Sequence, residues 1–405
     1  MIYSRRDIFE DIIAANNGIL RLESTWVARN SMPPGCRLGL PESAVFLGER
    51  GWICERWLAS TTLADNRYGP PDEGLSYIRT ENGQRFSLKE AVHAAGPTIM
   101  GKKYAQQHSG LGRLAKLFDM SDRIAFHYHQ RAQDAALVGR NQKEEAYYFP
   151  ENVDMGSHPE TFFGVHPSIA EQKNDEILLP YLVDWNSDLI LKHSRAYQLV
   201  PGEGFHVPAG VPHAPGTALT LELQEDSDVF GVLQALSGGK IIPKDLLFKD
   251  IREEDRRDHG ERFVLGQIDW GTSGDPYYYE NRHMPPLPIK SSINQGGEEA
   301  WIFYNTAKFC GKKLTIKPGM QFTSQDLGVY NLLIWQGTGL LDGIPVEARN
   351  FELDELLVTH EKATQPIEII NTGKDELILF KFFGPDIYPD VPIIKPYRSS
   401  FKAVY

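Results

Sequence analysis

The sequence predicts a mostly β protein, a sandwich or barrel of antiparallel strands with a few decorating helices. Short runs rich in Val, Ile, Phe and Tyr recur along it, among them ILRLESTWVA, RIAFHYH, EAYYF, YQLVPGEGFHVPAG, TALTLELQ and DVFGVLQAL. Gly, Pro, Asn and Asp turns separate these runs. Helical periodicity is confined to a few stretches.

In chain order, MIYSRRDIFEDIIAANNG spaces Ile and Phe as a short amphipathic helix, with Asn17 and Gly18 at its stop. FSLKEAVHAAG from Phe86 sets Leu88, Ala91, Val92 and Ala95 on one helical stripe, and SGLGRLAKLFD from Ser109 is also expected to be helical. The charge run DIREEDRRDHGER reads as a solvated helix, followed by a Pro/Gly-rich connection through PYYYENRHMPPLP and INQGGEE. From Trp301 a second strand-rich block begins: KLTIKPGMQF, YNLLIWQGTGLLDGIPV and DELLVTHEKATQPIEIINTGKDELILFKFF. The two blocks share an order of strand, Gly turn and strand, which suggests a degenerate duplication. The expected domains are therefore 1–248, a connection over 249–300, and 301–405.

Composition narrows the function. A chain of 405 residues with 41% hydrophobic content exceeds one ordinary core, so two domains are expected. Its net charge of -12 would repel phosphate backbones and anionic membrane surfaces, so neither nucleic acid nor membrane is an expected partner. Cys36, Cys54 and Cys310 are far apart and form no Cys-x-x-Cys, which argues against a disulfide framework or a cysteine zinc site. With no signal-peptide pattern at the N-terminus, a reduced, cytoplasmic setting is expected. Nothing in the sequence chooses between monomer and homodimer.

The chemistry begins at FHYHQ. On a strand, His127 and His129 point to one face. Glu145 follows on the strand-like run KEEAYY, and His213 stands just beyond a Pro-x-Gly turn in GEGFHVPAGVPH. Three imidazoles and a carboxylate, with no thiolate, form a donor set suited to Zn, Mn, Fe, Co or Ni in an open site. Glu222 alternates against Leu221 and Leu223 in LTLELQ, so an inward carboxylate is expected there. His206 reads as a structural histidine, His158 and His166 as loop residues, and the second block, where His360 lacks a partner, as metal-free.

These residues carry a family resemblance. Gly202, Pro208, Gly210 and His213 fit the second cupin motif, G-x5-P-x-G-x2-H, and His127, His129 and Glu145 resemble the first. Beyond generic cupins, LGRLAKLFDMSDRIAFHYHQ, KEEAYYF, PAGVPHA, LELQEDSD and, upstream, ICERWLAS resemble stretches of type I mannose-6-phosphate isomerases. The resemblance spans about residues 15–250, with a looser match in the second block. It implies a double-stranded β-helix bicupin and a metal-dependent aldose-ketose isomerase working through an enediol-like intermediate. It also implies one divalent metal on His127, His129, Glu145 and His213, zinc by resemblance, with manganese, iron or nickel compatible with three His and one Glu. Lys143 and Glu222 fall where the family carries site residues, and the chemistry makes them the candidates for proton transfer.

The chain also departs from that pattern. His127 stands where the family usually has glutamine, and Pro215 where it has tyrosine. Gly231 and Val232 occupy the place of an expected arginine, and Lys240 and Lys244 are poorly spaced substitutes. Without a guanidinium clamp, a neutral sugar or a sugar derivative is favoured over a sugar phosphate, unless Lys102, Lys103 or Arg131 reaches the cavity mouth. A metal cupin with oxygenase or epimerase activity, or a non-catalytic sugar-binding protein, would keep the same ligands.

Overall fold

The computed structural model describes residues 4–30, 32–80, 83–171, 175–292 and 296–397. The expected N-terminal helix thus loses Met1–Tyr3 from description, the connection loses 293–295, and the second block loses 398–405. Strand accounts for 30% of the chain and helix for 24%, so the protein is mostly β.

The chain divides into two compact units that are discontinuous in sequence, whereas the expected boundaries at 248 and 300 are linear. One unit comprises Met1–Val27, Glu55–Leu117 and Pro285–Ile393; the other comprises Ala28–Cys54, Phe118–Met284 and Ile394–Tyr405.

In the first unit a seven-stranded sheet runs in the order Ile19–Arg21, Glu355–Val358, Tyr330–Gln336, Leu377–Phe383, Cys310–Ile316, Gly297–Phe303 and Leu287–Pro288. A four-stranded sheet, Gln321–Ser324, Ile367–Asn371, Thr338–Leu341 and Ile344–Glu347, accompanies it. Leu332, Ile334 and Leu379 of the larger sheet share one core with Phe322, Ile369 and Leu341 of the smaller. The strand LILFKFF is buried along its whole length, yet it contains Lys381. That ammonium is matched by Glu299 at 2.5 Å, Ser324 Oγ at 2.5 Å and Asp326 at 2.8 Å, which offsets the cost of burying it. The helix Arg5–Ala15 opens on a capping box at Ser4 and ends before Asn17 and Gly18, both at positive φ, where the sequence places its stop. The helix Leu88–Met100 buries Leu88, Ala91, Val92 and Ala95 in the same core.

One expectation fails here. LAKLF forms the strand Leu114–Phe118, not a helix, with all five residues buried. A strand buried on both faces loses its alternation, so Leu111, Leu114 and Phe118 at spacings of three and four imitate a helical stripe.

The second unit holds a five-stranded sheet ordered Arg195–Gln198, Glu160–Phe163, His213–Ala214, His127–Tyr128 and Gly231–Val232. Against it stands Glu145–Tyr148, paired antiparallel to Gly204–Val207 on one side and to Thr220–Gln224 on the other. The connection expected to be irregular contributes an edge strand, His283–Met284, beside Gly204–Phe205. Phe163 from the first sheet and Tyr147, Phe205 and Val207 from the second form a shared core. The charge run folds as the helices Glu253–His259 and Glu261–Gly266.

Candidate metal centre

The site lies where the two sheets of the second unit face each other. His127 and His213 are direct cross-strand partners, so their rings share one face, and the two-residue period of the strand adds His129. The loop that delivers His213 is pinned: Val211 N donates to Pro208 O at 3.2 Å, and Gly210 N donates to the carbonyl of His129 at 2.8 Å. Gly210 has φ +82°, and a Cβ there would meet Arg131 Cγ at 2.9 Å, so only glycine suits the turn. The ring centroids of His127 lie 4.2 Å from His213 and 5.1 Å from His129. One nitrogen from each ring falls within 4.8 Å of the others, the arrangement of a metal-holding group.

The opposite sheet brings Glu145. Its Oε1 is 2.9 Å from His213 Nε2, and its Oε2 is 3.0 Å from His129 Nε2 and 3.0 Å from Lys143 Nζ. Lys143 Nζ also lies 3.6 Å from Glu222 Oε1. All six side chains are buried. Thus the structure brings together every residue singled out for the site; Glu222, in a strand buried along its whole length, is placed there by its approach to Lys143.

Hydrogen bonding fixes the imidazole tautomers. His127 Nδ1 is 2.7 Å from Ala125 O, His129 Nδ1 2.7 Å from Val229 O, and His213 Nδ1 2.9 Å from Val211 O. A carbonyl only accepts, so each Nδ1 carries the proton and each Nε2 presents a lone pair. Among the described residues, His129 Nε2, His213 Nε2 and Glu145 Oε2 have no hydrogen bond of ordinary geometry, although all are buried. Lone pairs facing a carboxylate repel one another. A cation among them turns the repulsion into coordination, and the Nδ1–H to carbonyl bonds are the outer support that metal-bound histidines use. The Lys143 ammonium stands between the two carboxylates of Glu145 and Glu222.

The titration pattern has the same cause. Burial, then the neighbouring rings of His213 and His129, holds His127 well below its ordinary value, and burial together with the Lys143 ammonium takes His129 down to about 4. Burial alone would raise the pKa of Glu145. Lys143 foremost, with His129 and His213, instead holds it well below the usual carboxylate range. For Lys143, burial disfavours the charge, but Glu145, Glu222 and Asp228 outweigh it and push the pKa up. His127 and His129 are therefore neutral imidazoles beside an ionised Glu145 and a charged Lys143.

Tyr147 escaped the sequence reading. Its hydroxyl donates to Glu145 Oε1. The signal was there, since Glu145 and Tyr147 lie on one face of the strand Glu145–Tyr148 by the same two-residue rule. His206 is structural, as expected: Arg282 donates to its Nδ1 at 3.1 Å, and its Nε2–H donates to Glu144 at 2.9 Å.

The cations weighed as anion clamps are committed elsewhere or exposed. Lys244 pairs with Glu261 at 2.6 Å, Arg131 with Asp134 at 2.8 Å, and Lys240 is exposed on a short hairpin. At Gly231 a Cβ would sit 2.6 Å from Tyr128 Cε1, so this position has no room for a side chain.

The sequence matches no protein-family model and no curated protein. Solved structures do match in fold. One, provisionally described as a mannosephosphate isomerase from Archaeoglobus fulgidus, aligns with a TM-score of 0.62 at 14% identity, covering 91% of this chain and 97% of its own. The mannose 6-phosphate isomerase from Bacillus subtilis aligns with a TM-score of 0.62 at 17% identity, covering 90% of this chain and 99% of its own. A zinc-bound mannose 6-phosphate isomerase aligns with a TM-score of 0.59 at 12% identity, covering 91% of this chain and 100% of its own. The chain therefore has the fold of the mannose-6-phosphate isomerases, at a sequence distance where the fold is all that the likeness conveys.

Proposed function

We propose that the protein is a metal-dependent aldose-ketose isomerase acting on a small sugar. The observation that carries this reading is the convergence of three proton-free Nε2 atoms and one carboxylate on a buried point, with a second carboxylate and an ammonium beside it. His127, His129, Glu145 and His213 would hold one divalent ion, zinc by likeness to the zinc-bound fold relative, with manganese, iron or nickel suited to the same donors. When bound, such an ion supplies Lewis-acid polarisation of a sugar carbonyl and its neighbouring hydroxyl.

The remaining chemistry belongs to the side chains. Isomerisation breaks a C–H bond next to the carbonyl and forms one at the adjacent carbon, through an enediol-like intermediate. Glu222, as carboxylate, takes that proton and returns it to the neighbouring carbon, while the hydroxyl proton on the carbon that lost it passes to the former carbonyl oxygen. Lys143, charged and 3.6 Å away, favours the ionised form of Glu222 and donates to sugar oxygens. Part of the same reading is that each compact unit is a double-stranded β-helix, making the chain a bicupin. Its metal-holding barrel draws on residues before 249, and its second barrel, built mainly after residue 300, holds no metal.

The favoured substrate is an unphosphorylated aldose or ketose. A phosphate dianion needs charge-assisted donors, each contributing about 1.5–3 kcal/mol. The expected clamp position is a glycine without side-chain room, and Arg131 and Lys244 are already paired.

Two measurements test the proposal. Metal analysis of His129→Ala and His213→Ala should find content near zero, because losing one of four ligands removes a bond and the preformed geometry; full occupancy in both would rule out the ligand set. Free and 6-phosphorylated hexoses and pentoses are then compared over the Zn-, Mn- and Fe-loaded protein in deuterated water. Turnover of a free sugar is expected, with solvent deuterium, exchanged onto the Glu222 carboxyl, on the carbon that receives the proton: C1 of a ketose product or C2 of an aldose product. Turnover of mannose 6-phosphate with free mannose inert would overturn the substrate assignment, and oxygen uptake without isomerisation would overturn the reaction.

A further inference from the structure

Glu145 is held by a donor that the proposed reaction does not use. One oxygen, Oε2, has the Lys143 ammonium at 3.0 Å; the other, Oε1, accepts from the hydroxyl of Tyr147. The ring that carries this hydroxyl cannot swing away. It stands edge-on to Phe118 with centroids 5.7 Å apart, lies 6.5 Å from Phe163 and 6.2 Å from His213, and is buried. Its strand position is equally constrained, since Tyr147 is the direct partner of Phe205 on one side and of Glu222 on the other.

With the Lys143 ammonium beside one oxygen and the Tyr147 hydroxyl donating to the other, the carboxylate is restricted in its rotation about the last side-chain bond. Its Oε1 lies against His213 and its Oε2 against His129. A carboxylate free to rotate would lose that entropy on each metal-binding event and could also turn to offer both oxygens.

We propose that Tyr147 is a positioning residue for the metal: its hydroxyl holds Glu145 as a preformed, one-oxygen ligand and thereby sets the affinity and geometry of the centre. The inference rests on the metal site proposed above. A neighbour supplies its control. Tyr278 belongs to the same aromatic cluster and is fully buried, but its hydroxyl has no hydrogen-bond partner among the described residues.

The test uses the full-length chain. Tyr147→Phe keeps the packed ring and removes only the hydroxyl. Zinc affinity, measured by competition with a chromophoric chelator, should fall 10- to 100-fold, the usual cost of losing a ligand's supporting hydrogen bond. The ligand-field bands of the cobalt-loaded protein should shift, while Tyr278→Phe should match the parent in both readouts. A general loosening of the fold is separated by a second comparison. In a Glu145→Ala background, which removes the acceptor, Tyr147→Phe should weaken the residual binding no further, because the two act through one contact. Unchanged zinc affinity and cobalt bands in Tyr147→Phe, or fully additive losses in the double variant, would overturn the inference and leave the metal site standing. A parent protein that takes up no metal would instead overturn the site itself, and the inference with it.

Discussion

Burial of the His127 and His129 rings makes folding depend on pH. His129 has a pKa of about 4 in the folded protein against 6.5 ordinarily. Between those values the unfolded chain binds a proton that the folded chain refuses, so stability is complete above about pH 6.5 and falls as pH drops toward 4. His127 acts in the same direction, and Glu145, also depressed, extends the loss below the ordinary carboxylate range. Denaturation midpoints of the metal-free protein should therefore decline from pH 7 to 5.5 to 4, less steeply in His129→Gln. A flat profile would mean that His129 is not a buried neutral ring. At this scale much was legible in the sequence. A two-residue period and a Pro-x-Gly turn single out His127, His129 and His213, because strand geometry dictates which side chains share a face; Glu145 follows from its strand-like run and the family resemblance. The carbonyl partners that set the tautomers were not legible, since a backbone acceptor leaves no trace in side-chain identity. Tyr147 was legible in principle, two residues from Glu145 on the same strand.

Strands carry the site, so their packing limits what it tolerates. Gly204 pairs with Tyr148 and Met284, and a Cβ on it would lie 2.3 Å from the carbonyl oxygen of Tyr147. No flexible side-chain end can yield there; the strand bearing Glu145 and Tyr147 must move. Gly204→Ala should accordingly destabilise the protein by about 1–3 kcal/mol, the usual cost of forcing atoms into a packed region. It should also weaken metal binding, because Glu145 shifts relative to His129 and His213. Thermal melts with and without zinc check both, and a variant with unchanged melting and unchanged zinc stabilisation would contradict this. Most elements could be read from alternation and turn residues. LAKLF could not: Lys116, in an otherwise apolar run, is itself buried, so the strand shows no polar face by which to recognise it.

At the scale of the whole molecule, long-range pairing was what the sequence concealed. Linear boundaries assign the first twenty residues to a domain ending near 248. Yet Ile19–Arg21 pairs antiparallel to Glu355–Val358, and Phe9, Ile13, Leu20 and Leu22 share a core with Leu356, Val358 and Phe383. Arg56 adds a buried connection within the same unit, with both guanidinium ends on Asp354 at 2.7 Å and a further contact to Glu355 at 2.9 Å. Partners separated by some three hundred residues leave no local signature, because loop-closure entropy grows only slowly with length and the chain is free to pair across such spans. A chain ending at residue 248 would strip these partners away. It would expose Phe9, Ile13, Leu20 and Leu22, leave the Arg56 guanidinium without its carboxylates, and remove the edge strand His283–Met284 that covers Gly204–Phe205. Removing the partners of a buried charge costs about 3–5 kcal/mol, a large share of the 5–15 kcal/mol that holds a protein folded. The 1–248 fragment is therefore expected to be insoluble or to melt without a cooperative transition, and to bind no zinc. Its solubility, thermal melt and metal content, measured beside the full chain, decide the matter: a soluble fragment with a sharp melt and full metal occupancy would show that the N-terminal segments do not depend on their C-terminal partners.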